Sequence, residues 1–186
     1  DALPFILTGA QRRCVDEAIA DMTAGKPMNR LCQGDVGSGK TMVAAACVYF
    51  CVKNGRQAAL MAPTELLAEQ HYRGLAPLLE QLGLRCALLT GSTPAKTKRS
   101  VTAQLASGEL DFAIGTHALI SGGVAYANLG LVVTDEQHRF GVAQRTALAE
   151  KGEHPHTLVM SATPIPRTLA LILYGDLDVS VIDQLP

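Results

Sequence analysis

Short runs of apolar residues alternate with longer segments of helical periodicity along the whole chain. Runs such as Ala58-Ala59-Leu60-Met61 and Leu131-Val132-Val133 are apolar at every position. Strands with this pattern are buried on both faces, as in a parallel sheet covered by helices. The pattern predicts seven strands, at residues 29–33, 57–62, 85–90, 111–115, 129–135, 157–161 and 179–182. The predicted fold class is therefore α/β, with a mostly parallel sheet and helices on both of its faces.

Helical segments fill most of the intervals between these strands. Thr8 and Gln11 form a capping-box pattern that opens a helix to about residue 24. Further helices are predicted at 39–53, from Pro63-Thr64-Glu65 to 82, and at 95–107, 141–150 and 166–174. Pro77 should kink or split the helix that contains it, and the segment 91–94 should cap the helix that follows. Ligands of such sheets bind beyond the carboxyl ends of the strands.

Composition limits the class of protein further. The chain has 186 residues, 48% of them apolar and 18% charged, which excludes disorder as the main state. Its 16 basic and 17 acidic residues give a net charge of −1, so an anionic partner must be held by local groups. The longest apolar run, residues 42–52, is too short to span a membrane.

The five cysteines are an odd number without a CxxC pair, which favours buried thiols in a reducing cytosol and a cytoplasmic protein. Cys47 and Cys51 are four residues apart on a predicted helix, but no second pair completes a metal site. The chain begins at Asp1 and ends just after an apolar stretch. We therefore expect residues 1–186 to be a single domain that forms part of a longer protein.

A phosphate-binding loop follows the first predicted strand. The segment Gly34-Asp35-Val36-Gly37-Ser38-Gly39-Lys40-Thr41 matches G-x-x-x-x-G-K-[ST]. Its glycines allow several backbone N–H groups to point at one phosphate, and the next helix adds its positive dipole end. Lys40 is expected to reach the β- and γ-phosphates of a nucleotide, and the Thr41 hydroxyl to bind Mg²⁺. The loop alone does not distinguish kinases, GTPases, transporters and motors.

An acidic pair ends the fifth predicted strand. Asp135 can hold Mg²⁺ through water, opposite Thr41. Glu136 is then available to polarise a water that attacks the γ-phosphate, which favours hydrolysis over transfer to a small molecule. The alternative is a pair of solvated turn acids. From the residues alone, His138 is interpreted as an exposed histidine in a polar turn.

Further motifs occur in the order found in superfamily 2 helicases and translocases. Asp135-Glu136-Gln137-His138 resembles their DExH motif, and Ser161-Ala162-Thr163 resembles motif III. The other matching segments are Ala62-Pro63-Thr64-Glu65 (motif Ia), Thr90-Gly91-Ser92 (a small turn) and Gly115-Thr116-His117-Ala118-Leu119 (motif Ib). Together they cover nearly the whole chain.

Within this superfamily, segments 34–41, 135–142, 161–169 and 174–180 resemble the RecG family of bacterial branched-DNA helicases. The alternative is the transcription-repair coupling factor family, whose pattern has an aromatic residue at the position of Ser38 and a second acid at that of Gln137. The resemblance implies the first RecA-like P-loop motor domain of an ATP-dependent helicase. Such an enzyme remodels stalled forks and Holliday junctions in recombination and repair.

The resemblance also implies roles for the motif residues. Phe5 and Gln11 would contact the adenine, Asp135 would hold Mg²⁺, and Glu136 would activate water. The residues that would bind the phosphates and the metal are Gly34, Gly37, Ser38, Gly39, Lys40 and Thr41. The residues that would link the nucleotide state to DNA and to a partner domain are His138, Ser161 and Thr163.

DNA would be held through its backbone, without base readout, by the loops after the other strands. The residues expected there are Pro63, Thr64, Gly91, Ser92, Thr116 and His117. The cluster Lys96, Lys98 and Arg99 either adds cationic contacts to DNA or is a solvated helix face.

The second RecA-like domain of the family, with the arginine that completes the ATP site, and the wedge domain have no counterpart in the sequence. We therefore expect a chain that binds ATP and hydrolyses it weakly. The resemblance to the family implies a monomer. Two other classes stay open. One is a nucleotide-gated docking module, which would not need Glu136. The other is a P-loop kinase of small molecules, against which Ser161-Ala162-Thr163 argues.

Overall fold

Seven strands form one parallel sheet in the computed structural model, which describes residues 8–25, 28–34, 40–120, 123–135, 155–161 and 178–182. The strands are β1 (Asn29–Gly34), β2 (Gln57–Met61), β3 (Cys86–Leu89), β4 (Phe112–Gly115), β5 (Leu129–Asp135), β6 (His156–Ser161) and β7 (Asp178–Ile182). Their order is β3-β4-β2-β5-β6-β1-β7, and all neighbours are parallel. The predicted class is confirmed, and each predicted strand is present to within one residue at each end.

Helices cover both faces of the sheet, as predicted. On one face lie α1 (Gly9–Met22), α2 (Lys40–Lys53) and α3 (Glu65–Gln81), and on the other lie α4 (Ala95–Ser107) and a 3-10 helix, His117–Ile120. In β2, Ala58 and Leu60 pack into the first core, whereas Ala59 and Met61 pack into the second. Successive side chains of a strand point to opposite faces, so a continuous apolar run fills two cores.

Side-chain caps begin α1 and α3. Thr8 Oγ1 accepts a hydrogen bond from the Gln11 N–H at 3.2 Å, and Gln11 Oε1 accepts one from the Thr8 N–H at 2.8 Å, which confirms the predicted capping box. Thr64 Oγ1 accepts a hydrogen bond from the Leu67 N–H at 3.2 Å. Pro77 is expected to kink or split its helix, but the split does not occur, because α3 is continuous through Pro77 and its buried apolar face packs against the sheet on both sides of it.

The segment before α4 does not cap that helix as expected. Pro94 is the N-cap residue and makes no side-chain hydrogen bond to the helix. Thr93 Oγ1 instead accepts a hydrogen bond from the Thr90 N–H at 2.9 Å, which closes the turn on itself. The predicted helices at 141–150 and 166–174 lie outside the described residues.

None of the five cysteines forms a disulfide bond, and four of them are buried. Burial raises the pKa of Cys47 and Cys51 to about 12, so both thiols are protonated at neutral pH and pack as small apolar groups. The interpretation as buried thiols is confirmed for the four buried cysteines, whereas Cys86 is half-buried. Among the described residues, no group of three or more His, Cys, Asp or Glu could hold a metal ion. No helix in the described ranges is both long and apolar enough to cross a membrane.

Candidate functional site

Three strand ends lie side by side at the carboxyl edge of the sheet. β1 ends at Gly34, β5 at Asp135 and β6 at Ser161, and β6 lies between the other two. The register pairs Gln33 with Ser161 and Met160 with Asp135. The end of the strand before the phosphate loop and the start of the acidic motif are therefore at the same edge, two strands apart.

Lys40 joins the two ends of the phosphate loop. It is the first residue of α2, and its Nζ donates a hydrogen bond to the carbonyl oxygen of Gly34 at 2.7 Å. Thr41 follows on the same turn and is half-buried, while residues Val43 to Val48 anchor the helix in the core. The ammonium of Lys40 therefore lies at the end of β1, where the sequence predicts phosphate, and Thr41, the expected metal ligand, is the next residue of α2.

Asp135, the last residue of β5, forms a hydrogen bond with a histidine of α3. Its Oδ2 lies 2.7 Å from Nε2 of His71, and the Asp135 and His71 side chains are only 16% and 14% exposed. An ionised carboxylate can only accept a hydrogen bond, so Nε2–H of His71 is the donor. Sequence reasoning missed His71. The two residues are 64 positions apart, and a lone histidine in an amphipathic helix gives no signal of its partner.

Gln11 has a structural role that the sequence also predicted. It is 2% exposed, and its side chain completes the capping box at the start of α1. Its contact with the adenine stays a prediction.

The loops after β2, β3 and β4 meet at a second place on the same edge. Glu65, in the first turn of α3, accepts two hydrogen bonds from Ser92, from the backbone N–H at 3.1 Å and from the hydroxyl at 2.9 Å. A Cβ at Gly91 would lie 3.2 Å from Glu65 Oε1 and 4.0 Å from Cε1 of His117. A side chain at position 91 would therefore crowd the turn. Sequence reasoning did not assign a role to Glu65.

Most of the expected DNA-contacting residues are at least partly accessible: Pro63, Thr64, Gly91, Ser92 and His117. Thr116 differs, because it is 3% exposed and its Oγ1 has no hydrogen-bond partner among the described residues. Its carbonyl oxygen accepts a hydrogen bond from the Leu119 N–H at 3.0 Å and so begins the 3-10 helix. The accessible side chain on this loop is therefore that of His117 rather than that of Thr116.

The basic cluster lies on the first turns of α4, with Lys96 and Arg99 exposed and Lys98 half-buried. Other expected site residues lie outside the described part of the chain: Phe5, Gly37, Ser38, Gly39, Glu136, His138 and Thr163.

Comparison with known proteins decides the family. The sequence profile of DEAD/DEAH box helicases matches residues 8–172. The chain belongs to the DEAD/DEAH box helicase family. Members of this family generally use ATP and Mg²⁺, so the family favours a motor over a small-molecule kinase.

Within this family, the chain is similar to RecG. The ATP-dependent DNA helicase RecG of Streptococcus pneumoniae is 58% identical over 185 residues, which cover 100% of this chain and 27% of that protein. RecG of Synechocystis is 58% identical over 186 residues, which cover 100% of this chain and 22% of that protein. The solved structure of RecG bound to a three-way DNA junction superposes with a TM-score of 0.84 at 49% identity. The superposed region comprises 100% of this chain and 25% of that RecG chain.

The chain thus spans about a quarter of the length of these relatives. The resemblance to RecG and the RecA-like fold are confirmed over the whole chain. The alternative resemblance to a transcription-repair coupling factor is not favoured.

Proposed function

We propose that the chain is the motor domain of a superfamily 2 DNA helicase that remodels branched DNA, and that it binds ATP with Mg²⁺ at the ends of β1 and β5. One observation gives the main support for the nucleotide site. Lys40 at the start of α2 donates to Gly34 at the end of β1, while Asp135 ends β5 two strands away. A lysine that begins a helix after a glycine-rich loop and a carboxylate at a nearby strand end suit a nucleotide and its metal.

The oxygen groups at this edge fit Mg²⁺, which prefers carboxylate, hydroxyl, water and phosphate oxygens. Thr41 and Asp135 would hold the ion, which supplies stabilisation of the charge on the transferred phosphoryl group. Lys40 would exchange the carbonyl of Gly34 for a phosphate oxygen, a stronger partner because it is charged. The remaining groups are proposed as in the family: Glu136 for the attacking water, Gly34, Gly37, Ser38 and Gly39 for the phosphates, and Phe5 and Gln11 for the adenine.

We place DNA on the loops after β2, β3 and β4. The similar protein RecG has been solved on a three-way DNA junction. Thr64, Ser92 and His117 offer hydroxyl, amide and ring groups at exposed positions of this chain, and such groups hold phosphates without reading bases. The N–H and hydroxyl of Ser92 already donate to the carboxylate of Glu65. A DNA phosphate at this place would therefore share these donors with the carboxylate or displace it. The residues proposed to link the nucleotide to DNA are His138, Ser161 and Thr163.

The second RecA-like domain and its arginine would come from another part of the parent protein, of which this chain would be a part. An arginine of this kind contributes about 10³–10⁵ in rate, so the chain alone would bind ATP and hydrolyse it slowly. A monomeric state and a location in the cytoplasm stay predictions.

Steady-state ATP hydrolysis by the chain, with and without forked DNA, tests the proposed half-site. We expect slow turnover that forked DNA raises little. Strong DNA-stimulated turnover would show that the site is complete within this chain, and would contradict the proposed need for an arginine from elsewhere.

Fluorescence anisotropy with labelled forked DNA tests the DNA surface. Ser92→Ala removes the hydroxyl at the meeting point of the three loops and should weaken binding several-fold, since it removes one donor to a phosphate. Ser107→Ala is the matched control, because Ser107 is an exposed serine at the far end of α4. Equal affinities for the two variants would place the DNA elsewhere.

A further inference from the structure

His71 is a polar residue on the buried side of α3. Residues 68, 71 and 75 are spaced so that they lie on one face of a helix, and Ala68 and Leu75 on that face are fully buried. His71 therefore stands where an apolar side chain would ordinarily pack. Its Nε2 is hydrogen-bonded there to the carboxylate of Asp135 at 2.7 Å.

The hydrogen bond occupies one oxygen of the carboxylate that we propose for the metal. It fixes Oδ2, whereas Oδ1 takes no part in it. Groups that hydrogen-bond a metal-holding side chain fix its orientation, and their removal typically costs about 10–100-fold in metal affinity or activity. A carboxylate held through one oxygen has fewer orientations to lose when the ion binds through its other oxygen or through water.

The helix that carries His71 is itself held firmly. Thr64 caps its first turn, and Glu65 ties the same turn to Ser92 on the neighbouring loop. The buried face packs into the core on the side of the sheet where α1 and α2 also lie. His71 is therefore presented from a fixed support rather than from a mobile loop.

From this geometry we propose that His71 is a positioning residue for Asp135, which it holds in the orientation that receives the Mg²⁺ of a bound nucleotide. The proposal rests on the proposed nucleotide site. His71 itself touches neither nucleotide nor metal in this role, and acts through the carboxylate alone.

The test compares ATP affinity in Mg²⁺ with ATP affinity in EDTA, by isothermal titration calorimetry on the chain and its variants. His71→Gln can place an amide N–H near the position of Nε2, whereas His71→Asn is as polar but too short to reach. His71→Ala removes the donor altogether. Arg73→Ala is the matched control on the same helix, because the Arg73 side chain is 70% exposed. Thermal denaturation of each variant reports stability separately.

We expect His71→Ala and His71→Asn to lose about tenfold in affinity for ATP in Mg²⁺ and less than about twofold in EDTA. His71→Gln should keep most of the affinity, and Arg73→Ala should match the wild type. If His71→Ala does not fold, the comparison of His71→Gln with His71→Asn decides.

Equal Mg²⁺-dependent affinities for the Gln and Asn variants would overturn the proposal. An equal loss in Mg²⁺ and in EDTA would also overturn it, because the histidine would then act on the fold only. A wild-type chain that gains nothing from Mg²⁺ would instead show that the proposed metal site itself is wrong, and the role of His71 would fail with it.

Discussion

The backbone N–H of Met28 donates a hydrogen bond to Nδ1 of His156 at 2.8 Å. His156 begins β6, and Met28 immediately precedes β1, so the bond joins the amino-terminal ends of two neighbouring strands. Nδ1 can accept this bond only when it carries no proton. Burial lowers the pKa of His156, and the positive charge of Arg56 lowers it further. The folded chain therefore holds His156 in its neutral form.

This contact predicts a loss of stability in mild acid. A histidine whose pKa is lowered by folding binds more protons when unfolded, so stability is fully present above its ordinary pKa of 6.5 and falls as the pH drops below it. His156→Asn keeps an acceptor near the position of Nδ1 but cannot titrate. In urea denaturation at about pH 7.5 and about pH 5.5, the variant should lose less free energy of unfolding than the wild type. Identical losses would show that His156 does not contribute.

Two glycines predict opposite effects of the same substitution. A Cβ at Gly115 would collide with the carbonyl oxygen of Leu89 and lie 3.1 Å from Cγ of Leu119. Gly115→Ala should therefore push β3 and β4 apart and lower the free energy of unfolding by about 2–3 kcal/mol. At Gly74, on α3, a Cβ would meet nothing within 4 Å. Gly74→Ala should raise the free energy of unfolding by about 0.5–1 kcal/mol. Chemical denaturation measures both, and a shift of the same sign at the two positions would contradict this account.

Replacing the buried amide of Gln57 should strongly lower the free energy of unfolding. Gln57 lies in β2 and is only 4% exposed. Its Nε2 donates hydrogen bonds to the carbonyl oxygens of Leu105 and Leu110 at 3.0 and 2.8 Å. Its Oε1 accepts a hydrogen bond from the Asn128 N–H at 2.8 Å. Gln57→Leu would leave these partners unsatisfied, so we expect a loss of about 2–4 kcal/mol in the free energy of unfolding.

Thermal or urea denaturation checks that value. Gln81→Leu, at the exposed end of α3, is the control and should change stability by less than about 0.5 kcal/mol. Similar losses for both variants would mean that the three hydrogen bonds do not stabilise the fold.

The positions of the strands along the chain could be predicted because the central ones, such as β2 and β5, are apolar on both faces. A segment such as Leu131-Val132-Val133 can bury all of its side chains only between two layers of helices. This property can be recognised from one short run of residues. The capping box of Thr8 and Gln11 is equally local. The local cost of Pro77 predicts a kink or a break, whereas α3 stays continuous because its apolar face packs against the sheet.

Side-chain contacts between residues far apart in the chain could not be predicted. Glu65 and Ser92 are 27 residues apart, and His71 and Asp135 are 64 residues apart. Each pair depends on which strands are neighbours and on how far α3 extends over the sheet. Patterns of neighbouring residues carry no information about such long-range pairs. The sequence therefore placed the expected Mg²⁺ carboxylate at a strand end but gave no indication of the histidine that holds it.

The most direct test of the account is the affinity of the chain for ATP in Mg²⁺, measured by calorimetry for the wild type, Lys40→Ala and Lys53→Ala. Both lysines are on α2, but Lys53 is at its exposed carboxyl end. We predict that the wild type and Lys53→Ala bind ATP alike, and that Lys40→Ala loses at least about tenfold because a charge-assisted contact to phosphate is removed. Unchanged affinity in Lys40→Ala would contradict the assignment of a nucleotide site to the end of β1.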